Sequence, residues 1–173
     1  LVEWIISLFM YLAGVNFALH YAALSGRMRS FLRDGEWRAY TAIVLLSTLI
    51  ITVMILPTMG GEFEPALRAA TFQVLAIITT TGFGTVDFEL WPVLAKVLLI
   101  GLMFIGGSAG STAGGMKVSR VLVLLKCAVI ELAHTVRPHT VRVVKIGRSA
   151  VRDDVLKQIM AFAVLFFCTV AVC

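Results

Sequence analysis

Between apolar segments long enough to cross a bilayer lies Thr79-Thr80-Thr81-Gly82-Phe83-Gly84, too polar and too glycine-rich for an ordinary loop. Residues 65–78 before it can form a short helix of about four turns at ~1.5 Å rise per residue. After it comes Thr85-Val86-Asp87-Phe88-Glu89, acidic and turn-like. A half-length helix, then a Thr/Gly ribbon, flanked by full-length apolar spans, predicts a re-entrant pore loop. Such backbone is tolerated at membrane depth only where protein buries it or it lines a watery cavity.

Glycine lets carbonyls point into a lumen through angles other residues resist, and threonine adds a hydroxyl oxygen. Together they can replace a cation's hydration shell, as in the channel filter Thr-Val-Gly-Tyr-Gly. Thr80-Thr81-Gly82-Phe83-Gly84 follows that pattern with two conservative changes. Thr/Gly runs also end ordinary helices in soluble proteins, so the surrounding spans decide.

Those spans dominate the composition: 60% hydrophobic, 14% charged, mean hydropathy +0.96. That is the composition of a membrane protein. The net charge of +5 does not point to nucleic acid, because the basic residues fall in two inter-span loops without interleaved aromatics. Cys127, Cys168 and Cys173 show no paired spacing, and His20, His134 and His139 no ligand spacing. No disulfide framework, metal cluster or bound cofactor is expected. The chain opens in Leu1-Val2-Glu3-Trp4 without a basic leader and ends inside an apolar run, which reads as a piece of a longer protein.

The predicted architecture is an all-α integral membrane protein, a channel-like helix–pore loop–helix repeat with a broken second helix. Residues 1–25 hold a first span from about Trp4 to Leu24, whose Gly14, Asn16 and His20 are expected to face other helices. Residues 26–39 form a basic loop, and the repeat covers 40–134. Within it are a span at 40–58, a pore helix at 65–78, the filter at 79–84 and a broken span at 90–134. The break is Gly106-Gly107-Ser108-Ala109-Gly110-Ser111-Thr112-Ala113-Gly114-Gly115, uncharged, with five glycines and three hydroxyl residues among ten. A second basic loop at 135–153 precedes another span at 154–173.

Lysine and arginine set the orientation. The loop at 26–39 and the region from Lys117 to Lys157 are basic and therefore expected to be cytoplasmic. Glu62, Glu64, Asp87 and Glu89 surround the filter with Arg68 the only nearby base, an outer vestibule that concentrates cations.

The combination of Thr79-Thr80-Thr81-Gly82-Phe83, Leu90-Trp91-Pro92 and the run from Phe104 through Gly115 to Met116-Lys117-Val118 closely resembles the TrkH/KtrB family of potassium uptake proteins. Residues 13–21 and 137–145 resemble it too. The resemblance implies four helix–pore loop–helix repeats in one polypeptide, this chain carrying the third. It implies potassium held at Thr80 and Thr81 and along Gly82, Phe83 and Gly84. The glycine block becomes an intramembrane gating loop, controlled by a cytosolic nucleotide-binding partner of the TrkA/KtrA type. A homodimer in the bacterial or archaeal cytoplasmic membrane is expected, surrounded by lipid, with potassium as transported ion.

Gly110 to Lys117 superficially suggests a phosphate-cradling loop, but Met116 separates Gly115 from Lys117 and a membrane span precedes it. No cluster of Asp, His or Cys at membrane depth supports an enzyme. Two other readings stay open: a sodium-coupled or less selective monovalent-cation transporter, and a non-conducting structural module in which the glycines merely pack helices. Small packing residues recur every four positions, whereas this block is contiguous, which favours unwound backbone and conduction.

Overall fold

The structure, a computed structural model, describes residues 1–136, 145–146, 149–150 and 153–172. It divides into two compact units, residues 1–118 and 119–173.

The first unit opens with helices α1 (Val2–Ala13) and α2 (Phe17–Leu24), which meet at an angle of 99°. The continuous span expected over residues 4–24 is therefore bent. Asn16 is the cause: its backbone is extended and its side chain accepts from the Ala18 N–H at 2.8 Å, capping a new helix instead of continuing the old one. Gly14 permits the close approach at the corner, where an added Cβ would sit 2.2 Å from the Tyr40 hydroxyl. His20 Nε2 lies 2.9 Å from the Leu12 carbonyl and closes the bend.

After a short helix α3 (Met28–Leu32), α4 (Gly35–Ile55) runs 21 residues, roughly the 30 Å needed to cross hydrocarbon. It starts at Gly35 rather than the expected Tyr40 because Asp34 is a good N-cap, accepting from the Trp37 N–H at 2.7 Å. Tyr40, Val44, Thr48, Ile51 and Ile55 form its buried face, while Leu45, Leu46, Leu49 and Val53 point outward.

Helix α5 (Phe63–Ile78) is the core of the unit. Ala66, Ala69, Ala70 and Ala76 are small enough for α1 and α4 to pack close on either side, and Phe72, Val74 and Ile78 fill the space between. It begins two residues before Pro65, which still falls in the first turn, where its missing N–H costs no helical bond. A 3-10 turn (Phe88–Leu90) and buried Trp91 lead into α6 (Val93–Met103), only 11 residues long.

The second unit holds most of α7 (Val118–Val136), then β1 (Lys145–Ile146) paired antiparallel with β2 (Ser149–Ala150), then α8 (Asp153–Val172). The two-residue strands are a minor departure from an all-helical chain. Arg120 stacks over the Phe162 ring at 4.2 Å, with Val123 and Ala163 buried. The basic residues Arg137, Arg142, Arg148 and Arg152 lie outside the described residues. Among the described helices, α4 and residues 154–172 of α8 are each long and apolar enough to cross a membrane, and the bent pair α1–α2 makes a third candidate.

Candidate ion-conduction site

Helix α5 ends in a Schellman turn. The Thr81 N–H bonds to the Ala76 carbonyl and the Thr80 N–H to the Ile77 carbonyl, both at 3.0 Å. Thr80 takes the left-handed position with φ 56°, where glycine is usual; it is the one non-glycine with positive φ among the described residues. Thr79 donates its hydroxyl to the Leu75 carbonyl at 2.6 Å, and Thr81 reaches the Ala76 carbonyl and the Met10 sulfur. The ribbon is thus moored by its hydroxyls to the helix it has just left.

The Gly82 N–H also reaches the Ala76 carbonyl at 3.3 Å, but the carbonyls of the ribbon are uncommitted. No donor among the described residues reaches the carbonyl oxygens of Thr80, Thr81, Gly82, Phe83 or Gly84. Gly82 has φ 71°, and a Cβ added at Gly82 or Gly84 would meet no atom within 4 Å among the described residues. Thr80, Gly82 and Phe83 border a cavity of about 720 Å³ that Leu99, Ile100 and Met103 of α6 line from the other side. Carbonyl oxygens without protein donors require water or a cation, and a row of them is the chemistry of a dehydrating filter.

The glycine block leaves the helical path at Phe104 and returns to helix at Val118, and its two ends close on each other. The Gly106 N–H bonds to the Met116 carbonyl at 2.8 Å and the Val118 N–H to the Gly107 carbonyl at 3.2 Å. Backbones cross so tightly that a Cβ at Gly106 would lie 1.9 Å from the Gly114 oxygen. Ser111 folds back onto the Ser108 carbonyl through both its N–H and its hydroxyl, and the Lys117 ammonium donates to the Ala113 carbonyl. Ser108 is fully buried and its hydroxyl has no partner among the described residues.

This closed loop sits in the corner between α1 and α2. The Ser108 N–H donates to the Gly14 carbonyl at 2.9 Å, and both the N–H and hydroxyl of Thr112 reach the Ala13 carbonyl. In return the Phe17 N–H, at the start of α2, donates to the Gly110 carbonyl at 3.1 Å. The bend leaves α1 with carbonyls and α2 with an N–H that no helix can satisfy, and the loop supplies the missing partners. Two further contacts pin it: the Ala109 N–H to Glu36 Oε1 at 2.7 Å, and the Gly114 N–H to Thr80 Oγ1 at 2.8 Å. The last of these joins the two stretches singled out in the sequence.

The four acidic residues do not form an even ring. Glu64 lies 3.7 Å from Arg68, which also meets Glu3 at 3.1 Å, and accepts from the Trp4 indole. Asp87 caps the 3-10 turn through the Glu89 N–H. Glu62 precedes α5 without a side-chain cap bond, and Glu89 borders the cavity, its carbonyl taking the Lys96 ammonium. Gly14 and Asn16 do face other elements, as expected, but neither the bend they make nor the role of Glu36 was visible in the sequence; the available signal was an asparagine before an apolar run, an N-cap pattern inside a span.

A kinked span, a helix ending in a ribbon of uncommitted carbonyls, and a third helix broken by a loop that touches that ribbon define an integral membrane protein of the pore-loop class. The chain belongs to the TrkH family of cation transport proteins, whose family model matches residues 1–173. It is 36% identical over 163 residues to the Trk system potassium uptake protein TrkH of Salmonella typhimurium, covering 93% of this chain and 34% of that protein. The TrkH protein of Halomonas elongata is 36% identical over 172 residues, 96% of this chain and 36% of its own length. Among solved structures, the potassium transporter TrkH from Vibrio parahaemolyticus superposes with a TM-score of 0.86 at 36% identity, over 93% of this chain and 35% of that one. The chain spans about a third of the length of these relatives.

Proposed function

We propose that this chain contributes one helix–pore loop–broken helix repeat, the third of four, to a potassium uptake pore in the cytoplasmic membrane. The carrying observation is the row of uncommitted carbonyls from Thr80 to Gly84 at the end of a buried helix. They strip and replace the ion's water, and the negative end of the α5 dipole favours the cation. The threonine hydroxyls are secondary, since those of Thr79 and Thr81 donate to protein acceptors and that of Thr80 accepts from the loop. Glu62 and Glu89, with Asp87, raise cation concentration at the outer mouth, and Glu64 acts mainly with Arg68 and Trp4.

Residues 106–115 act as the gate. Their contacts are several and individually weak, so docked and undocked arrangements differ by a few kcal/mol, and a cytosolic nucleotide-binding partner pulling on α7 shifts the balance. The relatives' names, Trk system potassium uptake protein, support potassium as the transported ion.

The test is Gly82→Ser in the full-length protein. A side chain at φ 71° disturbs the ribbon, so rubidium uptake against competing sodium should lose about tenfold in selectivity, an estimate from the ~1–2 kcal/mol cost of a left-handed residue. Unchanged selectivity would sink the filter assignment.

A further inference from the structure

We propose that Glu36 is the latch of the glycine loop, a positioning residue that holds residues 106–115 docked and so sets how often the path opens. This rests on the reading of that loop as the gate.

Every other bond from the loop's N–H groups to a neighbouring element ends on a neutral oxygen: Gly14, Ala13 and Thr80 at 2.9, 3.3 and 2.8 Å. The bond to Glu36 is the shortest of the set at 2.7 Å and the one that ends on a carboxylate. Hydrogen bonds to an ionised partner are about twice as strong as neutral ones. The loop itself carries no charge; Lys117, which directly follows it, grips it at Ala113, and Glu36 grips it at Ala109 from a separate helix.

Glu36 is well placed to hold still. It sits in the first turn of α4, whose start is fixed by the Asp34 cap, one turn before Tyr40, which is fully buried. A glutamate early in a helix ordinarily favours its own helix dipole; here Oε1 reaches across 73 residues of sequence to a loop amide. It is half-buried, in the first turn of α4 and within the basic stretch of residues 26–39, the side that the charge pattern assigns to the cytosol. Releasing one carboxylate frees Ala109 at the middle of the loop while the neutral contacts remain, a graded step and not a collapse.

The experiment uses the full-length protein in proteoliposomes, with rubidium flux measured in the absence of the cytosolic partner. Glu36→Ala should raise basal flux about tenfold, the factor carried by loss of one charge-assisted bond, with selectivity for rubidium over sodium unchanged. Glu36→Gln keeps an acceptor oxygen without its charge and should raise flux only about two- to threefold. Combining Glu36→Ala with removal of residues 111–113 should give no more flux than the deletion alone, because the latch acts through the loop.

If the deletion raises flux and Glu36→Ala does not, the latch is refuted and the gate stands. If neither raises it, the gate fails and the latch with it. An additive rise in the double variant marks general loosening and also refutes the latch. Should Glu36→Ala not insert, Glu36→Asp, one methylene short of Ala109, replaces it; flux at the wild-type level there counts against the proposal.

Discussion

The ribbon at residues 79–84 and the loop at 106–115 are made of the same residue types, glycine with serine or threonine, yet they are held in opposite ways. The ribbon hangs mainly from its own helix: Thr79, Thr80 and Thr81 bond to Leu75, Ile77 and Ala76, no more than five residues back, with one reach outside from the Thr81 hydroxyl to the Met10 sulfur. The loop is held from outside, by Ala13, Gly14, Glu36 and Thr80, which are 34 to 99 residues away. A locally held segment keeps its shape whatever its neighbours do, which suits a filter. A segment held by distant partners moves when any of them moves, which suits a gate.

The strongest challenge to this contrast is steric. Gly106→Val places side-chain atoms where the Gly114 carbonyl lies 1.9 Å from the Cβ position, so the loop cannot close on itself and rubidium flux without the partner should rise by about tenfold or more. Gly101→Ala, whose added Cβ meets no atom within 4 Å, is the control expected to keep the wild-type flux. Wild-type flux in the Gly106 variant would mean that the closed loop is dispensable.

Thr80 belongs to both regions and separates them. Thr80→Gly relieves the left-handed strain of about 1–2 kcal/mol but deletes the oxygen that holds Gly114. Rubidium flux without the partner should rise about three- to fivefold, the effect of one neutral hydrogen bond. Thr80→Ser keeps the oxygen and should leave gating close to normal; equal behaviour of the two variants would remove the link between ribbon and loop.

The corner comes next. Gly14→Ala drives a methyl into the Tyr40 hydroxyl, 2.2 Å away, at a cost of about 1–3 kcal/mol. Tyr40→Phe in the same protein should restore part of the thermal stability in detergent, and no restoration would locate the strain elsewhere, at Thr79 for instance. The smallest effect is expected from Asn16→Ala, about 1 kcal/mol for one helix cap, seen as a small drop in melting temperature; a drop as large as that for Gly14→Ala would assign Asn16 more than capping.

Both chain breaks were legible in the sequence because glycine acts locally: it removes helix propensity wherever it stands. The start of the pore helix was legible to within two residues from Pro65. The bend at Gly14–Asn16 was not, since two small polar residues carry little weight in an apolar window of twenty. The loop's seat was less visible still. Its acceptors are the backbone oxygens of Ala13 and Gly14, and a carbonyl has no letter in the sequence. Glu36 lies inside the stretch of residues 26–39 expected to be a basic loop, although Asp34 two residues earlier marks a helix start. The pairing of Glu64 with Arg68, four residues on, was readable from spacing alone and leaves less free charge for the proposed outer vestibule.

The fit between corner and loop also bears on the order in which the protein is made. Ala13 and its partner Thr112 are 99 residues apart, a distance that takes about 5–20 s to synthesise at ordinary elongation rates. Through that interval the bent first helices have left the ribosome with open carbonyls at Ala13 and Gly14, groups that hydrocarbon solvates poorly. The nascent corner is therefore expected to wait at a hydrated site, in the translocon or at the membrane surface, and to enter the bilayer core only with the glycine loop. Stalling synthesis before and after residue 118 and probing position 15 for water exposure would show a single late step of burial.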